Sequence, residues 1–288
     1  MTRNATPLHK QAMQRSSLQL FHFSSEAVQA QRAEGAGVHS IIVDWENLGK
    51  YARQQNYDTQ VNRHTVEDLD QVYKVVKIPI TVRVNGGAAA LDEADLAIDH
   101  GAKVIMLPMA SSAYEVELLL RRVNGRAKTL IQIETQSMVE HVADLQHLGW
   151  DYAFVGFNDL MISRGRNWLW EPMADGTMDT LFQQLPGRQI GFGGVTIVGG
   201  GYPLPFLNLL QEFARLGASL SFLRRTFARE VEGRDLPAEI SAVQAVWNAA
   251  RRRSVAAVQE DHQEFCECLE RIRPVSNHGV SMAARLAS

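Results

Sequence analysis

Two acidic side chains follow short hydrophobic segments near the middle of this chain. Glu134 comes directly after the segment Thr129 to Ile133, and Asp159 follows the segment Tyr152 to Val155 and Gly156. If the two segments are neighbouring parallel strands, both carboxylates lie at the same edge of a sheet. Hard divalent cations prefer such oxygen ligands. The pair therefore predicts a metal site, provided that the fold brings these segments side by side.

Further polar side chains occur where other hydrophobic segments end. They include a guanidinium, an imidazole, amides and additional carboxylates. Several carboxylates around one arginine would suit a small anionic substrate held beside a cation. The residues are His22, Asp44, Glu46, Arg83, Asn85, Gln132 and Asn158.

Eight β-rich segments recur at fairly even intervals and must position these side chains. Most are continuous apolar runs, which are typical of parallel strands buried on both faces. The predicted strands are Leu18 to Phe23, His39 to Asp44, Ile80 to Asn85, Lys103 to Leu107, Thr129 to Glu134, Asp151 to Gly156, Gly194 to Val198 and Ser219 to Leu223.

Helical patterns lie between the predicted strands, and several end at a glycine, which favours the C-terminal cap conformation. Eight such units predict an α/β protein with a (β/α)8 TIM barrel fold. The alternative, a doubly wound open sheet, would need fewer strands, and the Gly-x-Gly-x-x-Gly pattern of its dinucleotide-binding form is not found after strand one. We divide the chain into a polar extension (1–15), the barrel (16–235), additional C-terminal helices (236–273) and a tail (274–288).

The bulk composition limits the possible functions. The chain has 288 residues, is 45% hydrophobic and carries a formal net charge of -3, so a nucleic-acid partner is not expected. Neither a signal peptide nor a membrane span is indicated. Cys266 and Cys268 do not form a disulfide or zinc pattern, which favours plain thiols in a reducing, cytoplasmic compartment.

Five motifs in order resemble those of the HpcH/HpaI aldolase and citrate lyase family, over about residues 18–225. Each motif is weak alone, but each lies at a predicted strand end. They are Asp44-Trp45-Glu46-Asn47, Val82-Arg83-Val84-Asn85, Gly101-Ala102 with Ile105 to Met109, Gln132-Ile133-Glu134-Thr135, and Gly156-Phe157-Asn158-Asp159-Leu160.

The resemblance implies a role for each matching position. Glu134 and Asp159 correspond to the two metal-binding carboxylates, for Mg²⁺ or Mn²⁺, and Arg83 to the arginine that binds the keto acid and stabilises the enolate. Gln132 corresponds to a glutamine beside the metal. Backbone N–H groups of Phe157, Asn158 and Asp159 would hold the substrate carboxylate, and the acidic pair Asp44 and Glu46 would support the site.

One position departs from the family pattern. The aldolases have a histidine after the acidic pair, where this chain has Asn47, which cannot act as a general base at neutral pH. We therefore include His22 as a candidate for proton transfer. Structural hydrogen bonds remain the alternative for Asp44 and Glu46, and a salt bridge to Glu134 is the alternative for Arg83.

The implied activity is that of a metal-dependent class II aldolase or lyase, which makes or breaks a C–C bond next to a pyruvate-type enolate. Two alternatives stay open: a citrate-lyase-like enzyme acting on an acyl-CoA thioester, and a barrel that binds a keto acid without converting it. The partner would be a pyruvate- or oxaloacetate-like keto acid, and the family resemblance implies a homo-oligomer.

Two glycine-rich stretches and one long segment complete the predictions. Gly191 to Gly194 and Gly199 to Gly201 are interpreted as tight turns at either end of strand seven, with phosphate binding as the alternative. The segment Arg164 to Thr180, with Trp168 and Trp170, is predicted to be a long loop, acting either as a lid or as packing against a subunit.

Overall fold

Eight parallel strands close into a barrel in this computed structural model, which describes residues 17–48, 64–224 and 226–274. Each strand pairs with the next in the chain, and the eighth pairs with the first. The predicted TIM barrel is therefore confirmed, and the open-sheet alternative is wrong. The strands are β1 (Gln19–Phe23), β2 (Ser40–Asp44), β3 (Ile80–Arg83), β4 (Val104–Leu107), β5 (Lys128–Ile133), β6 (Tyr152–Val155), β7 (Gln189–Val195) and β8 (Leu220–Leu223).

Twelve α-helices and one 3₁₀ helix occur among the described residues. Most surround the barrel, and side chains of Thr65, Ser112, Thr135 and Ser254 cap four of them. The helices are α1 (Ala27–Gly35), α2 (Val66–Tyr73), α3 (Ala89–Asp99), α4 (Ala113–Val123), α5 (Gln136–Glu140), the 3₁₀ helix (Val142–His147), α6 (Phe157–Ser163), α7 (Glu171–Ala174), α8 (Thr177–Gln184), α9 (Phe206–Leu216), α10 (Phe227–Glu230), α11 (Leu236–Ala250) and α12 (Val255–Ile272).

The strands bury apolar side chains on both faces, as their continuous hydrophobic runs predict. The inward face forms a cluster of its own inside the barrel, in which Phe154 stacks on Phe222 with ring centroids 3.6 Å apart. The outward face joins the helices in a larger core. Since successive residues of a strand point to opposite faces, this division fixes which strand-end side chains can reach the barrel mouth.

Strand β7 was predicted wrongly. The structure places it at Gln189–Val195 instead of Gly194 to Val198, so Gly191 and Gly194 lie inside the strand and not in turns. A Cβ at Gly191 would lie 2.1 Å from the carbonyl oxygen of Leu220 on β8. The glycine therefore permits the close approach of two strands at an irregular point of their register.

The segment predicted as a long loop contains helix α7 and the start of α8. Trp170 is buried and meets Phe157 edge to face, with ring centroids 6.1 Å apart. Trp168 packs against the outer core, and the guanidinium of Arg273 lies 5.5 Å from its ring centroid. Both tryptophans thus make packing contacts within the chain, and the segment is not one continuous loop as predicted.

The two C-terminal helices pack against the barrel helix α9. The buried carboxylate of Glu212 on α9 accepts a hydrogen bond from Arg215 Nε, and His262 Nδ1 on α12 lies 3.0 Å from it. Arg253 adds a bond to the carbonyl of Gln211. The predicted extension 1–15 and all but the first residue of the predicted tail lie outside the described residues. Among the described residues, no helix is long and apolar enough to cross a membrane.

Candidate functional site

Arg83 and Asp44 form the best-defined ion pair at the carboxyl ends of the strands. They are register partners on β3 and β2. Arg83 donates from Nε to Asp44 Oδ1 at 2.7 Å and from Nη2 to Oδ2 at 2.6 Å. Burial alone would lower the pKa of Arg83, but Asp44, Glu46 and Glu134 together raise it above its usual range. The guanidinium is therefore charged and held in one orientation.

The third guanidinium nitrogen points toward the other predicted site residues. Arg83 Nη1 lies 3.4 Å from both Glu46 Oε2 and Gln132 Oε1, longer than an ordinary N–H···O hydrogen bond. Gln132 in turn donates from Nε2 to Glu134 Oε2 at 3.0 Å. The chain of contacts links β2, β3 and β5, so five of the predicted residues come together as Asp44, Glu46, Arg83, Gln132 and Glu134.

Glu134 is a buried carboxylate in an unfavourable electrostatic position. Its pKa is raised to about 8, chiefly by burial and further by the charges of Asp159 and Glu46. Arg83 and the N–H of Met109 oppose this rise without cancelling it. The side chain thus gains from any positive charge placed beside it. Asp159, which follows β6, is close enough to act on Glu134 electrostatically, and β5 and β6 are adjacent.

The segment after β6 supplies Asp159 from the first turn of helix α6. Phe157 and Asp159 are buried, whereas Asn158 is exposed. The Phe157 ring belongs to the outer core and stacks on Phe192, so only its backbone is available to a ligand. Gly156, before the helix, leaves room for Glu134: an added Cβ would lie 2.4 Å from Glu134 Oε2.

The structure does not bring His22 into this group. Phe21 and Phe23, on either side of it in β1, both contact Phe222 of the barrel interior. Strand alternation therefore directs His22 to the outer, helix-covered face. Burial lowers its pKa to about 4, which keeps the imidazole neutral. Neither feature favours the predicted proton-transfer role.

Asn47 is exposed at the start of the loop after β2. Its backbone N–H and that of Leu48 both donate to Asn85 Oδ1, at 2.9 and 2.8 Å. Asn85 is itself held by Glu93, to whose carboxylate it donates from its backbone N–H and from Nδ2. Asn85 thus fixes the start of the loop after β2 by hydrogen bonds to its backbone.

Two neighbours of the site were missed from the sequence. Phe23 lies under Arg83, with the guanidinium carbon 5.0 Å from its ring centroid, a cation–π contact. Met109 donates its backbone N–H to Glu134 Oε1 at 3.0 Å and has a φ of 56°, unusual for a residue other than glycine. The run around Phe23 has no polar alternation that would have indicated its facing, and no sequence signal indicates a left-handed methionine.

The donor set fits a hard divalent cation. Within the described residues no group of three or more histidine, cysteine or acidic side chains is arranged to hold a metal. Glu134 and Asp159 offer two carboxylates, and small cations such as Mg²⁺ commonly bind one or two carboxylates and complete their shell with water and substrate oxygens. The raised pKa of Glu134 is the electrostatic feature that a cation would relieve.

The sequence matches no protein-family model and no curated protein. Among solved structures, the chain is similar to a protein from Burkholderia cenocepacia J2315 described as an HpcH/HpaI aldolase/citrate lyase family protein. The identity is 14%, the TM-score is 0.57, and 86% of this chain and 100% of that chain are covered.

Two further structures share the fold. RipC from Yersinia pestis is 14% identical with a TM-score of 0.54, covering 84% of this chain and 99% of that chain. Citrate synthase SbnG is 15% identical with a TM-score of 0.56, covering 75% and 91%. At these identities the similarity establishes the barrel fold, and the first of the three carries the family name that the five motifs resemble.

Proposed function

We propose that this protein is a member of the HpcH/HpaI aldolase and citrate lyase family, and a divalent-metal-dependent lyase that makes or breaks a C–C bond next to a pyruvate-type enolate. The observation that carries the proposal is the contact chain from Asp44 through Arg83 and Gln132 to Glu134, with Asp159 on the adjacent strand unit. It joins one oriented cation to two carboxylates at the end of the barrel where TIM-barrel active sites occur.

Arg83 would bind the keto acid through Nη1. Its Nε and Nη2 atoms are occupied by Asp44, whereas Nη1 makes two long contacts within the part of the chain that the structure describes. In a retro-aldol reaction the C–C bond breaks and its electron pair moves toward the ketone oxygen of the pyruvate unit, which gives the enolate. The hydroxyl on the departing carbon loses its proton to water and becomes the carbonyl of the released aldehyde, and the enolate takes up a proton at its methylene carbon to give pyruvate. A donor already fixed at that oxygen stabilises the developing charge without reorganisation.

Glu134 and Asp159 would hold the cation, which as a Lewis acid would polarise the ketone of a bound 2-keto acid. Gln132 keeps Glu134 in position by donating to Oε2, and Met109 does so at Oε1. Both carboxylate oxygens thus have one defined donor each. The site is arranged before any ligand arrives.

The first turn of α6 would receive the substrate carboxylate. Gly156, the N-cap residue of this helix, has no side chain with which to cap it. The first backbone N–H groups of a helix have no acceptor within the helix, so those of Phe157, Asn158 and Asp159 would be the donors to a carboxylate. Bonds from the backbone would orient a carboxylate irrespective of the rest of the substrate. The expected substrates are therefore pyruvate-like acids that differ at the far end.

Proton exchange at the pyruvate methyl group tests the proposal. The protein is incubated with pyruvate in D₂O, with and without Mg²⁺ or Mn²⁺, and deuterium uptake is followed by NMR. We expect metal-dependent exchange that is lost in Glu134→Gln and Asp159→Asn and kept in Glu117→Gln, a partly exposed acid on α4. Exchange that survives either site variant would contradict the proposal.

A substrate panel distinguishes the alternatives. Cleavage of 4-hydroxy-2-keto acids is the expected result. Activity with CoA thioesters only would favour the citrate-lyase-like alternative, and metal-dependent pyruvate binding without exchange would favour a binding barrel. The homo-oligomer and the cytoplasmic location implied at the outset stay predictions, and sedimentation of the purified chain measures the first.

A further inference from the structure

We infer that His64 is a positioning residue that holds the backbone of Asp44 and thereby fixes the orientation of Arg83. The inference rests on the proposed function only for its activity readout. His64 lies just before helix α2 and twenty residues after Asp44. The structure places it directly against the carboxyl end of β2.

The contact between His64 and Asp44 lies just beyond the last hydrogen bond between β1 and β2. That bond runs from the Ser24 N–H to the carbonyl of Ile42, so β1 offers no acceptor to Asp44. His64 takes that place: its Nδ1 accepts from the Asp44 N–H at 3.0 Å, and its own N–H donates to the Asp44 carbonyl at 3.3 Å. One residue thus satisfies both backbone groups of a fully buried aspartate.

The opposite edge of the same peptide is held by β3. The Trp45 N–H donates to the carbonyl of Arg83 at 2.8 Å, and the Trp45 indole donates to the carbonyl of Thr65 at 3.0 Å. His64 is therefore hydrogen-bonded to Asp44, and Thr65 to Trp45. Because the Asp44 carboxylate binds Arg83 through two parallel bonds, a shift of the Asp44 backbone turns the guanidinium and moves Nη1.

The contact specifies a chemical state of the histidine. An imidazole nitrogen that accepts from a backbone N–H carries no proton, so neutral His64 must be protonated at Nε2. An asparagine can place its Oδ1 near the position of Nδ1 and accept the same bond, whereas a leucine of similar size cannot. The pair His64→Asn and His64→Leu therefore separates the hydrogen bond from the bulk of the side chain.

The first measurement is metal-dependent pyruvate exchange in both variants. We expect His64→Leu to lose about tenfold or more, as small displacements of a positioning group do. His64→Asn should keep the wild-type rate within about threefold, which is the rescue that a hydrogen-bond role requires. His147→Leu, on an exposed histidine of the 3₁₀ helix, is the matched control and should be unchanged. Equal rates in His64→Leu and wild type would overturn the inference.

A double-mutant cycle with Asp44→Asn tests whether His64 acts through Asp44. If it does, His64→Leu causes little further loss of exchange in the Asp44→Asn background. Independent, multiplicative losses would overturn the inference. The same cycle is measured on the free energy of unfolding, where non-additivity is expected without reference to any reaction. Non-additive stability in a protein with no exchange would reject the proposed function and keep the positioning role.

The tautomer is a further readout that a purely space-filling role would not produce. In ¹⁵N-histidine-labelled protein at a pH where His64 is neutral, we expect an unprotonated Nδ1 and a protonated Nε2, with the signals assigned by their absence in His64→Asn. A protonated Nδ1 in the neutral ring would rule out the bond to the Asp44 N–H and with it the inference.

Discussion

Glu134 is enclosed so closely that one methyl group on a neighbouring residue should disable the site. A Cβ at Gly156 would lie 2.4 Å from Glu134 Oε2 and 3.0 Å from its Cβ. To reach the 3.4 Å at which ordinary contact begins, the carboxylate oxygen has to move by about 1 Å. That movement weakens the bonds from Gln132 and Met109, which hold the two carboxylate oxygens at 3.0 Å each.

We expect Gly156→Ala to fold and to lose activity. Gly156 has a φ of -89° and a ψ of 96°, which alanine adopts without strain, so the backbone imposes no penalty. A displacement of about 1 Å at a catalytic group can lower the rate by about a hundredfold. The assay is metal-dependent pyruvate exchange, with circular dichroism to verify folding. Gly149→Ala is the matched control, because an added Cβ there meets no atom within 4 Å.

The outcome of this comparison is decisive for Glu134. Undiminished exchange in a folded Gly156→Ala would show that the carboxylate need not occupy its present position, and would refute the reasoning about the metal ligand. Equal losses in Gly156→Ala and Gly149→Ala would show that the effect is not local. A raised metal requirement with a normal rate at saturation would place the damage in cation binding and not in the chemical step.

Three further predictions follow from the same contacts. The pKa of Glu134 is raised to about 8, so between the ordinary carboxyl pKa and about 8 the folded protein binds a proton that the unfolded chain does not bind. This group's contribution to stability is therefore lost as pH rises through that window. Without metal, the melting temperature should fall over this pH range, Mg²⁺ should restore it, and Glu134→Gln should remove the pH dependence. Arg83→Met should reduce the free energy of unfolding by about 3–5 kcal/mol, measured by urea denaturation, because it leaves Asp44 buried without its cation; a change below about 1 kcal/mol would contradict this. Gly191→Ala should destabilise the β7–β8 contact by about 1–3 kcal/mol or more, because its Cβ would overlap the Leu220 carbonyl, and an unchanged melting temperature by calorimetry would contradict the account.

The barrel was predictable because its strands are separate apolar runs with helical patterns between them. Seven of the eight predicted strands agree with the structure to within one or two residues at each end. The exception, β7, contains Gly191, Gly193 and Gly194. In the amino-acid sequence alone, such a glycine cluster is typical of a turn. Neighbours distant in the sequence require these glycines: β8 at Gly191, helix α9 at Gly193 and Arg224 at Gly194. That information is not local in the sequence.

Residue type and strand-end position predicted which side chains gather at the mouth, but not how they pair. The salt bridge considered for Arg83 was one to Glu134, whereas its partner is Asp44, which lies opposite it in the β2–β3 register. The orientation of His22 could not be predicted for a similar reason. Phe21, His22 and Phe23 lie in a run with no polar alternation, so the sequence does not reveal which of them face the interior.

The residues around Glu134 break several local rules at once, and they do so at one point of the fold. Met109 has a left-handed backbone conformation although it is not glycine, and position 156 has no side chain because a Cβ there would overlap Glu134. The Glu134 carboxylate is buried near Asp159 although this raises its pKa. Such costs persist where the surrounding structure enforces them, and they concentrate at functional sites. If Glu134 were only a structural partner of Arg83, the arginine would lie against it. Arg83 is held by Asp44 instead, which leaves Glu134 with an unmet preference for a positive charge and supports its assignment to a cation.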